Sequence, residues 1–410
     1  MKKTVEYISA QKAAKKWRTS ERLAQKYCQD GRVEGAKKFG NSWAIPADAR
    51  KPIDPRKARK QAKKRKLSKE KSPARPAMPC TTPMPLMNAP FTPGKCLEYV
   101  MGIENGEVRD IAMAEYYYFC GRPEDCLKMA ERYLSHPDPA LRLSACLLYG
   151  YANLSEGKPQ RVGVVLKKVK TILARTDEKA SPQLYAGARF VVTTASVLLH
   201  LPLPEGMERS QDYVRFLPAG LKMFALYVQA HQAYLQGEYG ESLGIVEAAL
   251  MIYGKAFPIP AIYMHLVAVM AHISLKCPEK AQEHLLAAWG LAKADDLIQA
   301  FGEHHGLLGG MLEVVIKKDW PEDFKRIIAI TYRFSDGWRK AHRLATGEDV
   351  AGNLTTTEFA AAMLAARGWT NREIAQHMGI SMNTVKRYMS TILEKLGIKQ
   401  RKDLKKYMLR

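Results

Sequence analysis

Apolar residues recur at helical spacing along most of this 410-residue chain, and strand-like alternation is rare. From 95 to 350 one apolar or amphipathic run follows another, separated by short polar breaks, which predicts helix after helix. Four of the breaks resemble one another: FCGRPEDCLKMA (119–130), LSEGKPQRVGVVL (154–166), LQGEYGESLGIVEAAL (235–250) and SLKCPEKAQEHLLAA (274–288). Aligned on Gly121, Gly157, Gly237 and Lys276, they stand 36, 80 and 39 residues apart. The middle interval is two periods of ~40, with an irregular pair around 180–205 between. Five residues beyond each anchor come Cys126, Val162, Ser242 and Ala281, and three of these are small, as close packing inside a helix pair requires. The region therefore predicts a stacked helical array.

The pattern changes at both ends. In 354–410, Thr355-x-x-Glu358 and Thr370-x-x-Glu373 have capping-box spacing, and each opens an amphipathic run. Gly368 closes the first helix and Gly379 the second, which runs from Asn371 to Met378. Ser381 caps a third, where Val385, Tyr388, Met389, Ile392 and Leu396 share the core face. Lys386, Arg387, Ser390 and Thr391 fall on the other faces. A short helix, a glycine turn and a helix with a basic outer face make a helix-turn-helix whose last helix enters the major groove. Residues 4–46 predict helix, turn, helix and hairpin. Ser9 and Ser20 cap the helices, with Ala13, Ala14, Trp17, Leu23, Ala24 and Tyr27 inward and Arg22, Gln25 and Lys26 outward. Gly31 stops the second helix. AKKF (36–39) and WAIP (43–46) flank Gly40-Asn41-Ser42 as a hairpin with a basic first strand.

The string LTTTEFAAAMLAARGWTNREIAQHMGISMNTVKRYMSTILEKLGIKQR resembles the LuxR/FixJ-type DNA-binding domain, a four-helix helix-turn-helix. The resemblance implies that Ser381, Asn383, Thr384, Lys386 and Arg401 meet phosphate or base edges and that Arg387 and Ser390 face bases. Tyr388 stands where that family usually has His, and Ser390 is neutral where some members are basic. The front of the chain is similar to the small winged helix-turn-helix of excisionase and MerR-type proteins. Tyr7-Ile8-Ser9, Trp17, Ser20, Arg22, Cys28, Gly31-Arg32-Val33, Phe39-Gly40 and Ile45-Pro46 carry the pattern. Arg18 occupies the turn position where Gly is common. That resemblance implies DNA contacts from Arg22, Gln25, Lys26 and the wing residues Lys37 and Lys38. The middle, through A-x-x-Y-x-x-x-G-x-Y-x-x-S at 230–242, resembles tetratricopeptide-type repeats.

Charge sharpens this division. The net charge is +23, of which 1–75 carry +17 and 354–410 carry +7, leaving 76–353 at −1. Two cationic ends flank a neutral middle, the distribution expected of an anionic partner, either nucleic acid or a membrane surface. Residues 51–94 open with KARKQAKKRK (57–66) and close with seven prolines between Pro73 and Pro93, which predicts a disordered linker. As a flexible coil it spans roughly 35–40 Å.

Other chemistry is sparse. The seven cysteines (28, 80, 96, 120, 126, 146 and 277) are odd in number with no C-x-x-C, as in a reducing compartment without disulfides or thiolate metal sites. Cys28 reads as a core thiol. Glu303-His304-His305 is the one metal-like cluster, but adjacent histidines on a helix point about 100° apart, so a surface or helix-end role is expected. Tyr116-Tyr117-Tyr118 and Phe119 read as packing. The start MKKTVEYISA holds no apolar leader core, and the uncharged stretch Ala256 to Leu275, broken by Pro258 and Pro260, is too short for a bilayer and reads as a buried helix. Phosphate-loop, H-E-x-x-H, G-x-S-x-G and G-x-G-x-x-G motifs are missing, so no enzyme, cofactor or metal is expected. The chain resembles the back half of large activators that join an ATPase, a helical repeat and such a terminal domain.

The expected organisation is mainly α: a winged helix-turn-helix (1–50), a linker (51–94), a tetratricopeptide-like sensor and oligomerisation array (95–350) and a LuxR-type domain (351–410). The expected function is a cytoplasmic bacterial transcription regulator, binding double-stranded DNA as a homodimer, with a small-molecule or protein effector at the array and no membrane partner. A recombination-directionality or architectural protein led by the excisionase-like front, and an adaptor tethered to DNA, are the alternatives.

Overall fold

Left-handed backbone stands at each of the four repeat anchors: φ is +71° at Gly121, +67° at Gly157, +86° at Gly237 and +59° at Lys276. The computed structural model describes residues 6–52, 82–176, 178–179, 181–201, 203, 211–346 and 354–408. Of the described residues 71% are helical, with few strands, as the mainly α expectation requires. It divides into two compact units, Met1–Pro79 and Cys80–Arg410.

In the first unit a strand, β1 (Tyr7–Ser9), precedes helices α1 (Ala10–Trp17) and α2 (Glu21–Gln29) and a hairpin of β2 (Lys37–Phe39) and β3 (Ser42–Pro46). β1 was not apparent in the sequence; it pairs antiparallel with β3, giving the order β1-β3-β2. The hairpin closes in two residues, because Phe39 pairs directly with Ser42 and Gly40 takes φ +54° at the first turn position. Ser9 and Ser20 accept from the backbone N–H of Lys12 and Leu23, as capping predicts. Ala13, Ala14, Trp17, Ala24, Tyr27 and Ile45 fill the core, and the Trp17 indole donates to the Ala49 carbonyl at 3.1 Å. Cys28 belongs to this core, and burial pushes its thiol pKa up.

The second unit is built on antiparallel pairs: α4 (Gly106–Phe119) with α5 (Pro123–Ala130), α6 (Pro139–Ser155) with α7 (Gln160–Arg175), α9 (Ala219–Gln236) with α10 (Tyr239–Tyr253), and α11 (Pro258–Ser274) with α12 (Pro278–Ala292). α3 (Cys96–Met101) leads into them, and α8 (Pro182–Leu198) stands where the irregular pair was expected. Cys126, Val162, Ser242 and Ala281 are all buried. Five of these helices start on proline, whose missing N–H is an orphan at that position anyway. α11 tolerates Pro260 for the same reason and is almost wholly buried. Among the described residues, no helix is long and apolar enough to cross a membrane. After α13 (Gln299–His304), the long α14 (Pro321–Thr346) crosses α6 at Gly337, where a Cβ would stand 1.8 Å from the Leu154 carbonyl oxygen.

The linker expectation is corrected at its C-terminal end. The basic run 57–66 and the rest of 53–81, Cys80 included, lie outside the described residues, but residues 82–94 are built into the array. Met84, Leu86, Met87, Ala89 and Phe91 are buried. Three of their backbone N–H groups, lacking a helix or ladder, find side-chain acceptors: Met84 bonds Ser144 Oγ at 2.8 Å, and Leu86 and Met87 bond the Glu115 carboxylate at 2.9 Å each. The prolines remove further donors that would need partners. Burial pushes Glu115 up to about 8 despite these two bonds.

Candidate nucleic-acid interface

Four helices close the chain: α15 (Thr356–Ala366), α16 (Asn371–Met378), α17 (Met382–Lys395) and α18 (Leu404–Met408). Both predicted capping boxes form. Thr355 and Glu358 exchange bonds of 3.3 and 2.8 Å, and Thr370 and Glu373 exchange bonds of 3.2 and 2.5 Å. Glu358 also pairs with Lys395 at 2.7 Å, tying the start of α15 to the end of α17. Burial resists ionisation of Glu358, but Lys395 and the Thr355 donors outweigh it and hold the carboxyl below its usual range. Gly379 turns at φ +62°, and Ser381 then accepts from Thr384 N–H at 3.0 Å to start α17.

Val385, Met389 and Ile392 anchor α17 in the core, with Tyr388 and Leu396 half-buried beside them. The opposite face carries Asn383, Lys386, Arg387 and Ser390, all exposed. Ser381 is also exposed, and its hydroxyl meets that of half-buried Thr384 at 2.8 Å. The Ser390 hydroxyl donates to the Lys386 carbonyl at 3.2 Å and keeps its acceptor lone pairs. Residues 352–408 match the family "Bacterial regulatory proteins, luxR family" (GerE). This segment is a LuxR-family helix-turn-helix domain. It supports a bacterial DNA-binding transcription regulator. No curated protein matches the chain.

One residue expected at the interface of the LuxR-type domain is placed elsewhere. Arg401 is half-buried, and its guanidinium donates to Asn371 Oδ1 and to the Trp369 carbonyl, fastening the last turn to α16. Its donors serve the domain's own fold. Arg372, Lys399, Lys402 and Lys405, which motif reading passed over, are exposed. Their signal was the basic run KQRKDLKK at 399–406.

The LuxR-type domain is fixed to the array through α15 and α16, with α17 left outward. Arg367 donates to the Leu307 carbonyl at 2.9 Å and to the Tyr234 hydroxyl. The buried Trp369 indole donates to the Ile273 carbonyl at 3.3 Å, and His377 bonds the Gly309 carbonyl at 2.8 Å. Lys276 pairs with Glu373 at 3.0 Å, and the Thr370 amide together with this lysine pulls the carboxyl down to about 2. Close approach depends on glycine: a Cβ on Gly306 would stand 2.4 Å from the Phe359 ring. Neither these ties nor this approach was legible from motifs.

In the N-terminal unit, Arg22, Gln25 and Lys26 are exposed on α2, with Gln25 donating to Glu21 at 3.3 Å. Lys37 and Lys38 are exposed on β2, but adjacent strand residues point to opposite faces. Lys37 lies over the Tyr7 ring, 5.7 Å from its centre, on one of those faces.

The Glu303-His304-His305 cluster departs from its surface expectation. It does end a helix, but His304 and His305 are 4% and 2% exposed. Glu303 accepts from Tyr118, from Tyr263 at 3.0 Å and from Gln299 at 3.1 Å. Among the described residues, no cluster of His, Cys, Asp and Glu could hold a metal ion.

Proposed function

We propose that this protein is a sequence-specific transcription regulator whose helix α17 reads the major groove. The carrying observation is the match of 352–408 to the luxR regulatory family, together with an outer face of α17 exposed while α15 and α16 are engaged. Asn383, Lys386, Arg387 and Ser390 face base edges, and Ser381 and Thr384 at the helix N-terminus meet phosphate. Arg401 is not among the contacts. A homodimer reads half-sites about one helical turn (~34 Å) apart. The N-terminal unit adds a second contact through Arg22, Gln25, Lys26 and wing residues Lys37 and Lys38, and the array senses an effector. A band-shift titration on the native promoter tests this. Lys386→Ala with Arg387→Ala is expected to lower affinity at least tenfold, and unchanged binding refutes the reading.

The N-terminal unit, with two capped helices and a basic hairpin, favours a second reading: a recombination-directionality or architectural protein. Genomic occupancy separates the two. Loss on deleting 351–410 alone supports the regulator, loss on deleting 1–50 alone supports the second reading, and retention in both supports a tethered adaptor.

A further inference from the structure

A cavity of about 510 Å³ lies between the array and the LuxR-type domain. The array lines it with His231, His304, Thr331, Trp338 and Arg339, and the terminal domain with Leu354, Phe359, Tyr407 and Met408. The volume is that of a small-molecule site, and the walls are largely aromatic. They are also pre-formed. Trp338 donates to the Leu198 carbonyl at 3.1 Å, stacks on His342 at 5.1 Å and meets the His200 ring edge-on at 5.0 Å.

Two polar groups of the lining lack a partner among the described residues. Arg339 is half-buried and is the one Lys or Arg in the lining, and among the described residues no carboxylate pairs with it. His231 is 3% exposed, and its Nε2 has no hydrogen-bond partner. The donor order explains why. His304 Nδ1–H donates to the Ala300 carbonyl at 2.8 Å, so His304 Nε2 accepts from the Tyr227 hydroxyl, also at 2.8 Å. The Tyr227 oxygen then accepts from His231 Nδ1–H at 3.4 Å, which leaves Nε2 as a bare acceptor in the cavity wall. Buried polar atoms without partners are rare in proteins and mark a polar ligand or ordered water. Glu303, by contrast, is satisfied by its three donors.

We infer that this cavity binds an aromatic organic monoanion, its ring system among Trp338, Phe334 and Phe359 and its anionic group on Arg339. The inference rests on the proposed effector sensing by the array and deepens it by naming the site and the ligand class. The ligand touches both the array and the terminal domain, so it binds better when the two are fastened together. Occupancy therefore strengthens that attachment, by no more than the ligand's differential affinity for the two arrangements.

Isothermal titration of the full chain with 2-naphthoate, and with uncharged 2-naphthamide, tests the site. Naphthoate is expected to bind once per chain with Kd below about 1 mM, a modest demand for an aromatic acid of this size. Naphthamide is expected to bind at least tenfold more weakly, and Arg339→Gln to remove that discrimination while keeping the fold. Binding of neither compound, equal binding of both, or discrimination that survives Arg339→Gln overturns the inference. Amide exchange supplies the second readout: protection in α15 and α18 rises on saturation, and unchanged protection refutes the bridging role. A chain that takes up naphthoate but no DNA removes only the regulator reading, whereas one that binds DNA and neither compound removes only this site.

Discussion

In the C-terminal helix-turn-helix, Thr370–Glu373 form a reciprocal capping box and the turn passes through Gly379 at φ +62°. In the N-terminal unit, Ser9 and Ser20 cap α1 and α2 alone, and the chain between the two helices passes through Arg18 at φ +50°. The N-terminal element closes its core with its own three-stranded sheet. The C-terminal element leaves Trp369, His377 and Arg367 to be completed by carbonyls and a hydroxyl of the array. The difference teaches how each end can be controlled. A module that completes its own core can report only its own stability. One whose core is finished by a neighbour carries that neighbour's state to the helix it presents.

The largest expected effect that tests this contrast is Trp369→Ala. Removing a buried indole at the attachment should cost the Cys80–Arg410 unit about 3–5 kcal/mol in denaturant titration. Amide exchange in α1 and α2 should stay as it was, and a parallel loss there would break the contrast.

Acid should separate the units as well. All ten histidines lie beyond residue 79. Burial, then neighbouring His284 for His265, pulls the pKa of His304 and of His265 down to about 4. These groups are neutral when folded and titrate near 6.5 when unfolded. Between those values the unfolded chain binds more protons, so their contribution is full above about 6.5 and is lost as pH falls towards 4. By pH 5 the loss is on the order of 2 kcal/mol for each. A thermal midpoint measured at pH 7 and pH 5 should fall for the array and hold for the N-terminal unit.

Exchanging the turn residues gives smaller effects. Gly379→Arg places a side chain in left-handed backbone and should cost roughly 1–2 kcal/mol, while Arg18→Gly relieves that conformation and should gain about 0.5 kcal/mol, both read from chemical denaturation. Smallest is Lys276→Ala. Its pair with Glu373 is solvent-exposed, so a change of at most about 0.5 kcal/mol is expected in the same assay.

What could be read from the sequence was whatever local chemistry encodes. The capping boxes, the glycine turns, the core face of Val385, Met389 and Ile392 and the four array turns rest on contacts within a few residues, and each stands where spacing placed it. The misses depend on distant partners. β1 is three residues long, too short to show alternation, and exists because β3 pairs with it. The stretch 82–94 has no periodicity and takes its order from Ser144 and Glu115, 60 and 29 residues away from the N–H groups they bond. Arg401 carries a motif position, and two of its donors are turned onto Asn371 and the Trp369 carbonyl, 30 and 32 residues away. His304 and His305 read as surface or helix-end residues; they do end a helix, but nothing nearby announces the helices that bury them.

The central claim, that α17 distinguishes one duplex from another, is tested most directly by a specificity ratio. A duplex selected from a random pool by the full chain would be compared with its scrambled counterpart at about 0.15 M salt, where non-specific phosphate binding is weak. The account predicts a preference of at least 10³, the lower end for specific readers, falling towards unity in the Lys386→Ala, Arg387→Ala chain. Equal affinity for the two duplexes, or a preference that survives both substitutions, would contradict it.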